Sequence, residues 1–510
     1  MLGPEVDQAV AVVTITSLLP QRATTTRLRP EVVLTWLLVA HVVLKVLVYP
    51  LVMHAAPVGD ESAYLNGGRA LSNVMRDLFA FSGPDHAEVE RNVVASGWFM
   101  PGMSLVVAPL YLLVPDAPTW LVRGYLGVFT LLLFVAVVRY VARHLGPRWA
   151  CVLAVVPGLI PAWMVFSFGA WGDLCAGLVL VVLVVHVLEI VRGLRLGEPP
   201  TLRAGLRLGL ISIALLYLRS STSLLLVGLG VLCAVLAVTL LREQARRRGV
   251  LALAGAGAAF LALLAPWSVL ASDTLGAPVV TTTTVPTVRA VTFGDSDQLC
   301  FGPCDPGSTR WFRPVRYARE VARATGTSEV VVLKKMSDHA LRGLEPRGYL
   351  EQVSRDFDAY TTRPNSFTTY LAPEDGRGAF GRAGERIAGQ ATWFLYTPLL
   401  LLGLMSMFSI ARSSTEARVL DVVLKLSIGA LLVQPFVHVS GGRYWTTAGP
   451  VLALAAFAFL QERRYAWSPV GAPVEQVGSD PTLDRWLGRA QAVAVAVVVG
   501  ATIALVAVSW

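Results

Sequence analysis

The sequence is short of charge. Asp, Glu, Lys and Arg make up 15% of its residues, against about a quarter in soluble globular proteins. That excludes a water-soluble fold of this length, and the 55% hydrophobic content agrees. Cysteine is scarce as well. Five cysteines in 510 residues exclude a disulfide-stapled secreted scaffold. Cys151, Cys175 and Cys233 stand in apolar runs, where thiols behave as small hydrophobes. Cys300 and Cys304 form a Cys-Phe-Gly-Pro-Cys pair in the one large polar segment. A local disulfide is expected there if that segment lies outside the cytoplasm; the alternative, a zinc site, lacks an accompanying second pair. No Rossmann fingerprint for a nucleotide appears. No internal repeat is visible, which weakens an inverted-repeat transporter. The first twenty residues lack the basic region of a cleavable signal peptide, and the first apolar run is too long for one. The net charge of +9 is read by location, as short basic loops mark the cytoplasmic side, and no nucleic-acid partner is expected from it.

Long apolar runs are what the chain does have. They recur at about the twenty-residue length that crosses a bilayer, so the expected fold class is an all-α polytopic membrane protein of about eleven transmembrane helices, with external amphipathic helices and one large external loop. The expected spans lie near 31–53, 119–138, 149–167, 174–191, 208–218, 222–241, 250–270, 391–410, 419–438, 445–460 and 487–508. The span at 208–218 is short unless it begins among the preceding arginines. Basic residues fall at alternate turns: Arg22, Arg27 and Arg29; Arg139, Arg143 and Arg148; Arg192 to Arg207; Arg242 to Arg248; Arg412 and Arg418; Arg463 and Arg464. By the positive-inside rule this places the N-terminus in the cytoplasm of a plasma (inner) membrane protein. The organisation is then a cytoplasmic segment 1–30, a membrane region 31–271 whose first external loop covers 54–118, a large external loop 272–390, and a C-terminal membrane region 391–510. Within the first loop, 62–81 reads as a helix lying on the membrane, and Leu105–Leu113 as a short apolar piece. The large loop is too long for a connector; it carries a basic aromatic stretch Arg310–Arg313 and a helical-looking stretch Ala340–Tyr360.

The topology puts the notable polar residues on one side. Gly59-Asp60-Glu61-Ser62-Ala63-Tyr64 follows the first span. Asp173 opens the fourth, Arg219 lies between the fifth and sixth, and Arg443 and Tyr444 precede the tenth. Adjacent carboxylates beside a span are costly there and rarely idle. A carboxylate can take the proton from an attacking hydroxyl. Arginines can neutralise a leaving phosphate through forked, charge-assisted hydrogen bonds. Plainer roles fit the same positions. Asp60 and Asp173 stand where helix N-caps would, Glu61 stands where it would orient Asp60 or a backbone amide, and Arg219 and Arg443 where they would snorkel to head groups. Trp98, in Trp-Phe-Met-Pro-Gly, is either an interfacial anchor or a substrate contact.

Taken in order, five passages resemble the GT-C superfamily of integral membrane glycosyltransferases, particularly the branch of protein O-mannosyltransferases and the lipid A aminoarabinose transferase. They are GDESAY after the first span; WFMPGMSLVVAPLY; LLYLRSSTSLLL with its Arg-bearing turn; Pro266-Trp267 at the end of the seventh span, followed by GAPVVTTTTVPTVRAVTFGD; and GGRYWTTAGPVLAL. The similarity covers about 31–460. Two departures stand out: Asp295 replaces the Asn of many relatives, and Ser268-Val269 replace the basic residue that follows Pro-Trp. The resemblance implies transfer of a sugar from a polyprenyl-phosphate donor to a glycan, lipid or protein acceptor outside the membrane, with inversion at the sugar carbon. It implies Asp60 as general base with Glu61 assisting, and Arg443, together with Arg219, facing the lipid phosphate. Asp173, Trp98 and Tyr444 are the further candidate substrate contacts. Some members bind a divalent cation; Asp60, Glu61 and Asp173 offer oxygen ligands for one, but no cofactor is required by this reading. The competing expectations are a transporter or flippase for a lipid-linked or anionic substrate, and a catalytically silent scaffold.

Overall fold

Proline opens the first long helix. In the computed structural model, which describes residues 29–196, 198–240, 243–294, 313–342, 344–362, 378–437, 444–466 and 481–509, α1 (Pro30–Val52) begins with Pro30 in its first turn, where a missing N–H loses no hydrogen bond. The expected first loop is built of α2 (Glu61–Phe79), α3 (His86–Val89), a π-turn over Glu90–Val94, and α4 (Gly102–Leu113). Helix α2 is the expected amphipathic helix. Its Gly67-Gly68 face packs on α4 so closely that a Cβ at Gly68 would lie 2.3 Å from Val107 Cγ2.

The chain continues through α5 (Thr119–His144), α6 (Pro147–Val155), α7 (Pro161–Phe166), α8 (Gly172–Arg195), α9 (Leu202–Leu218), α10 (Ser223–Leu240) and α11 (Glu243–Leu275). The large segment contains α12 (Thr284–Phe293), α13 (Arg313–Thr325), α14 (Glu329–Arg342) and α15 (Pro346–Thr362). The last helices are α16 (Gly378–Met407), α17 (Thr415–Leu432), α18 (Trp445–Ala466) and α19 (Pro481–Ser509). No strand occurs among the described residues. Seven helices there are long and apolar enough to cross a membrane: α1, α5, α8, α11, α16, α17 with the turn after it, and α19. The protein is thus a polytopic helical membrane protein. Helix α8 is its axis, with 78% of its apolar stretch buried against 11% for α1 and 6% for α19. The outward faces of α1 and α19 stay apolar, as lipid contact allows.

Two sequence expectations change. The span expected at 149–167 is broken into α6 and α7, because Pro157 and Pro161 remove backbone donors and push the preceding residues out of the helical region. Helix α11 does not end at Pro266-Trp267 but runs on to Leu275; Trp267 is buried and its Nε1–H donates to the Thr281 carbonyl at 2.6 Å. The helical-looking stretch over 340–360 falls on the end of α14 and on α15, which are parted before Pro346. The spans expected at 208–218, 222–241 and 445–460 fall on α9, α10 and α18, and α9 does begin among the arginines. Cys300, Cys304 and Arg310–Phe312 lie outside the described residues.

Two glycines decide where Arg219 stands. A Cβ on Gly102 would lie 2.4 Å from the Tyr217 carbonyl oxygen, and one on Gly172 would lie 2.0 Å from that of Leu218. The start of α4 and the start of α8 therefore grip the last turn of α9 from two sides, at contact distances that no side chain permits. We expect Gly172→Ala to destabilise the protein by at least the ~1–3 kcal/mol of an overpacked core. Thermal unfolding of the purified protein in nanodiscs checks this; an unchanged melting temperature would show that the α8–α9 contact is slack.

Candidate active site

The two adjacent carboxylates have unlike surroundings. Glu61, the first residue of α2, is fully buried. Arg123, from α5 and 1% exposed, grips both its oxygens: Nη1 pairs with Oε1, and Nη2 donates to Oε2 at 3.1 Å. The Ala170 N–H donates to Oε1 at 2.7 Å and the Val58 N–H to Oε2 at 3.2 Å. Arg123 also donates to the carbonyls of Ala55 (2.9 Å), Ala56 (3.1 Å) and Phe168 (3.3 Å). One ion pair therefore ties the turn after α1, the start of α5 and the turn before α8 together. Of the roles the sequence leaves open to Glu61, which are assisting Asp60, orienting it or orienting a backbone amide, the structure shows contacts with the amides of Val58 and Ala170.

Asp60 precedes it, half-buried, at the end of a turn that needs glycine. Gly59 has φ +57°, in the left-handed region that glycine adopts freely. Asp60 occupies the N-cap position, yet its side chain makes no cap hydrogen bond, so the cap expected from the sequence is not formed. Asp173 does not cap either: Trp171 is the N-cap residue of α8. Asp173 lies in the first turn, 1% exposed, where the helix dipole favours an anion.

Asp173, Arg219 and Tyr444 come together as the topology suggested. Arg219 Nη1 lies 2.7 Å from Asp173 Oδ1, without the alignment of a hydrogen bond, so the attraction is coulombic. The guanidinium lies 4.3 Å from the Tyr444 ring centroid, a cation–π contact, and its Nε donates to Ser221 Oγ at 3.3 Å. Thr447 Oγ1 donates to the Asp173 carbonyl at 3.1 Å, joining α18 to α8. Arg443 lies outside the described residues. Trp98 belongs elsewhere: with Tyr64, one turn into α2, it lines a cavity of about 330 Å³.

The sequence reading passed over Arg123 and Lys45. Each is a charge within an apolar span, the signal that marks a buried partner. Lys45 of α1 is buried and donates to Thr130 Oγ1 at 2.6 Å and Ser167 Oγ at 2.8 Å. Arg123 and Lys45 hold the turn over 167–170 from two directions, and that turn leads straight into Asp173. As a cation site the acidic residues fit poorly. Glu61 and Asp173 are each engaged by an arginine, and among the described residues no three His, Cys, Asp or Glu side chains group as metal ligands.

No family model, no curated protein and no solved structure matches the chain.

Proposed function

We propose that the chain is a GT-C-like glycosyltransferase, crossing the plasma membrane eleven times with its N-terminus inside. It would move a sugar from a polyprenyl phosphate to an acceptor hydroxyl outside, in assembly of a cell-envelope glycan or glycoprotein. The observation that carries the reading is the division of the acidic pair. Two neighbouring carboxylates with unlike environments are the usual way one site separates a working group from a supporting one. Glu61 is locked into the scaffold, whereas Asp60 remains half-exposed at the start of α2, one turn before the Tyr64 that lines a cavity. The Asp173–Arg219–Tyr444 cluster supplies an oriented guanidinium at the same end of the bundle.

In this mechanism Asp60 accepts the proton of the acceptor hydroxyl. The hydroxyl oxygen forms a bond to the sugar's anomeric carbon as the bond from that carbon to the phosphate oxygen breaks. The electron pair leaves with the lipid phosphate, and Arg219 neutralises the growing charge. Products are the glycosylated acceptor and polyprenyl phosphate, with the proton on Asp60. Glu61 is a positioning residue: through Arg123 and Ala170 it fixes the turns on which Asp60 and Asp173 stand.

The test is donor consumption in membranes containing the protein, with a panel of polyprenyl-phosphate sugars and an envelope extract as acceptor. One donor consumed, with sugar appearing in the extract, supports the reading. Export of intact lipid-linked sugar from sealed vesicles without consumption would replace it with a flippase. Arg219→Lys keeps the charge and loses the planar fork. We expect it to raise the donor KM by roughly tenfold, the equivalent of ~1.4 kcal/mol; an unchanged KM would remove Arg219 from the donor site.

A further inference from the structure

The cavity beside α2 has a composition of its own. Its floor is aromatic: the Tyr64 and Phe99 rings have centroids 5.1 Å apart, and Trp98 stands edge-on to Phe99 at 6.0 Å. Its wall is basic. Helix α13 turns Val315 and Ala318 inward, Ala318 against Val332 and Leu333 of α14, and presents Arg316 and Arg319 to the cavity. These arginines are three residues apart and share a helix face. Arg319 Nη2 donates to Ser96 Oγ at 2.5 Å, and its Nε lies 3.4 Å from Glu329 Oε2. That docks α13 onto the strap over 95–98. The strap itself is strained: Ala95, in the cavity wall, has φ +50° and ψ −113°, a conformation that L-residues keep only where the surroundings impose it and that clusters at functional sites. No carboxylate lines the cavity among the described residues.

We infer that this cavity is the acceptor subsite and that it takes an anionic sugar, one bearing a carboxylate or a phosphate. The assignment to the acceptor rests on the glycosyltransferase reading above. Its volume, about 330 Å³, is at the small end of ligand pockets, which run to about 300–1,000 Å³, and suits a sugar unit and not a polymer. The apolar face of a sugar ring packs on Tyr64 and Trp98 as other apolar surfaces pack on aromatic rings. Its anionic group meets Arg316 and Arg319 through charge-assisted hydrogen bonds, and Asn92 is also among the lining residues, a type that carries both a donor and an acceptor for hydroxyls. The Ala63 N–H bonds the Asp60 carbonyl at 3.1 Å, and at ~1.5 Å rise per residue Tyr64 stands only about 6 Å along the helix from Asp60. A sugar seated on Tyr64 is thus next to the proposed base.

Binding to the full-length protein in nanodiscs tests this, by calorimetry with three probes: methyl glucuronide, glucose 6-phosphate and neutral methyl glucoside. We expect at least one anionic probe to bind tenfold or more tightly than the glucoside, with a preference that shrinks as salt rises. Comparing the two anionic probes tells carboxylate from phosphate. Arg316→Gln, at an exposed residue that leaves the Arg319–Ser96 contact intact, should reduce the preference; Arg316→Gln with Arg319→Gln should abolish it; Trp98→Leu should weaken all three probes. Equal binding of the three probes, or a preference unmoved in the double variant, overturns the site whatever the transfer assay gives. A preference that persists while no donor is ever consumed overturns the glycosyltransferase reading, and with it the acceptor role, but not the anionic-sugar site.

Discussion

Asp60→Asn should lower sugar transfer by about 10²- to 10⁴-fold, the loss that accompanies removal of a positioned general base. The substitution is nearly isosteric and falls at a half-buried position whose side chain does not cap α2. Asn keeps the size of the side chain and an oxygen acceptor, so melting temperature and donor binding should stay close to wild type. That combination separates three readings. A base lost from an enzyme lowers kcat and leaves the donor bound. A scaffold would register nothing. A structural carboxylate would lower the melting temperature along with the rate. Glu61→Gln should behave in the opposite sense. It leaves Arg123 buried without a full counter-charge, so stability should fall first and activity only as a consequence. If the two variants lose activity and stability in parallel, the division of labour between Asp60 and Glu61 is wrong.

That division could not be read from the sequence. Successive residues of a helix point about 100° apart, so one of the pair must face inward; which one depends on where Arg123 and the Ala170 amide arrive, from 62 and 109 residues away in the chain. What was legible rests on local physics. Apolar runs of membrane length became long helices, the mixed pattern over 62–81 became α2, and the turns carrying Asp173 and Arg219 met as topology requires. The glycines of Pro101-Gly102 and Gly172-Asp173 were visible as letters, but their use is visible only in space: both admit the backbone of Tyr217 and Leu218 at distances a Cβ would forbid. The break at Pro157 was also written in the chain. The letters alone do not decide it, since prolines are tolerated in membrane helices where neighbours satisfy the freed groups. Here His41 Nδ1 lies 2.6 Å from the Gly158 carbonyl, within hydrogen-bond distance, and the Thr392 hydroxyl accepts from the Ala162 N–H at 3.0 Å.

Arg123→Ala should be the most destabilising single change in the site, at about 3–5 kcal/mol, because it strands the fully buried Glu61 carboxylate. The more telling variant is the double replacement Glu61→Leu with Arg123→Leu. Buried ion pairs can often be exchanged for apolar residues of similar volume at no loss, since each charge gives up its hydration to enter the interior. We expect the exchange to fail here. Besides each other, the two side chains satisfy the N–H groups of Val58 and Ala170 and the carbonyls of Ala55, Ala56 and Phe168. Leucines would leave these without their side-chain partners, at about 1–3 kcal/mol for each group left unsatisfied. The double variant should therefore recover little of the stability lost in Arg123→Ala. Thermal unfolding of the single and double variants in nanodiscs measures this directly. A double variant as stable as wild type would mean that the pair serves only to cancel its own charge. Failure to recover would mean that the pair is the knot that holds the Gly59–Asp60 turn against the turn leading to Asp173, and that the proposed base and the guanidinium at the leaving group keep their relative positions because of it.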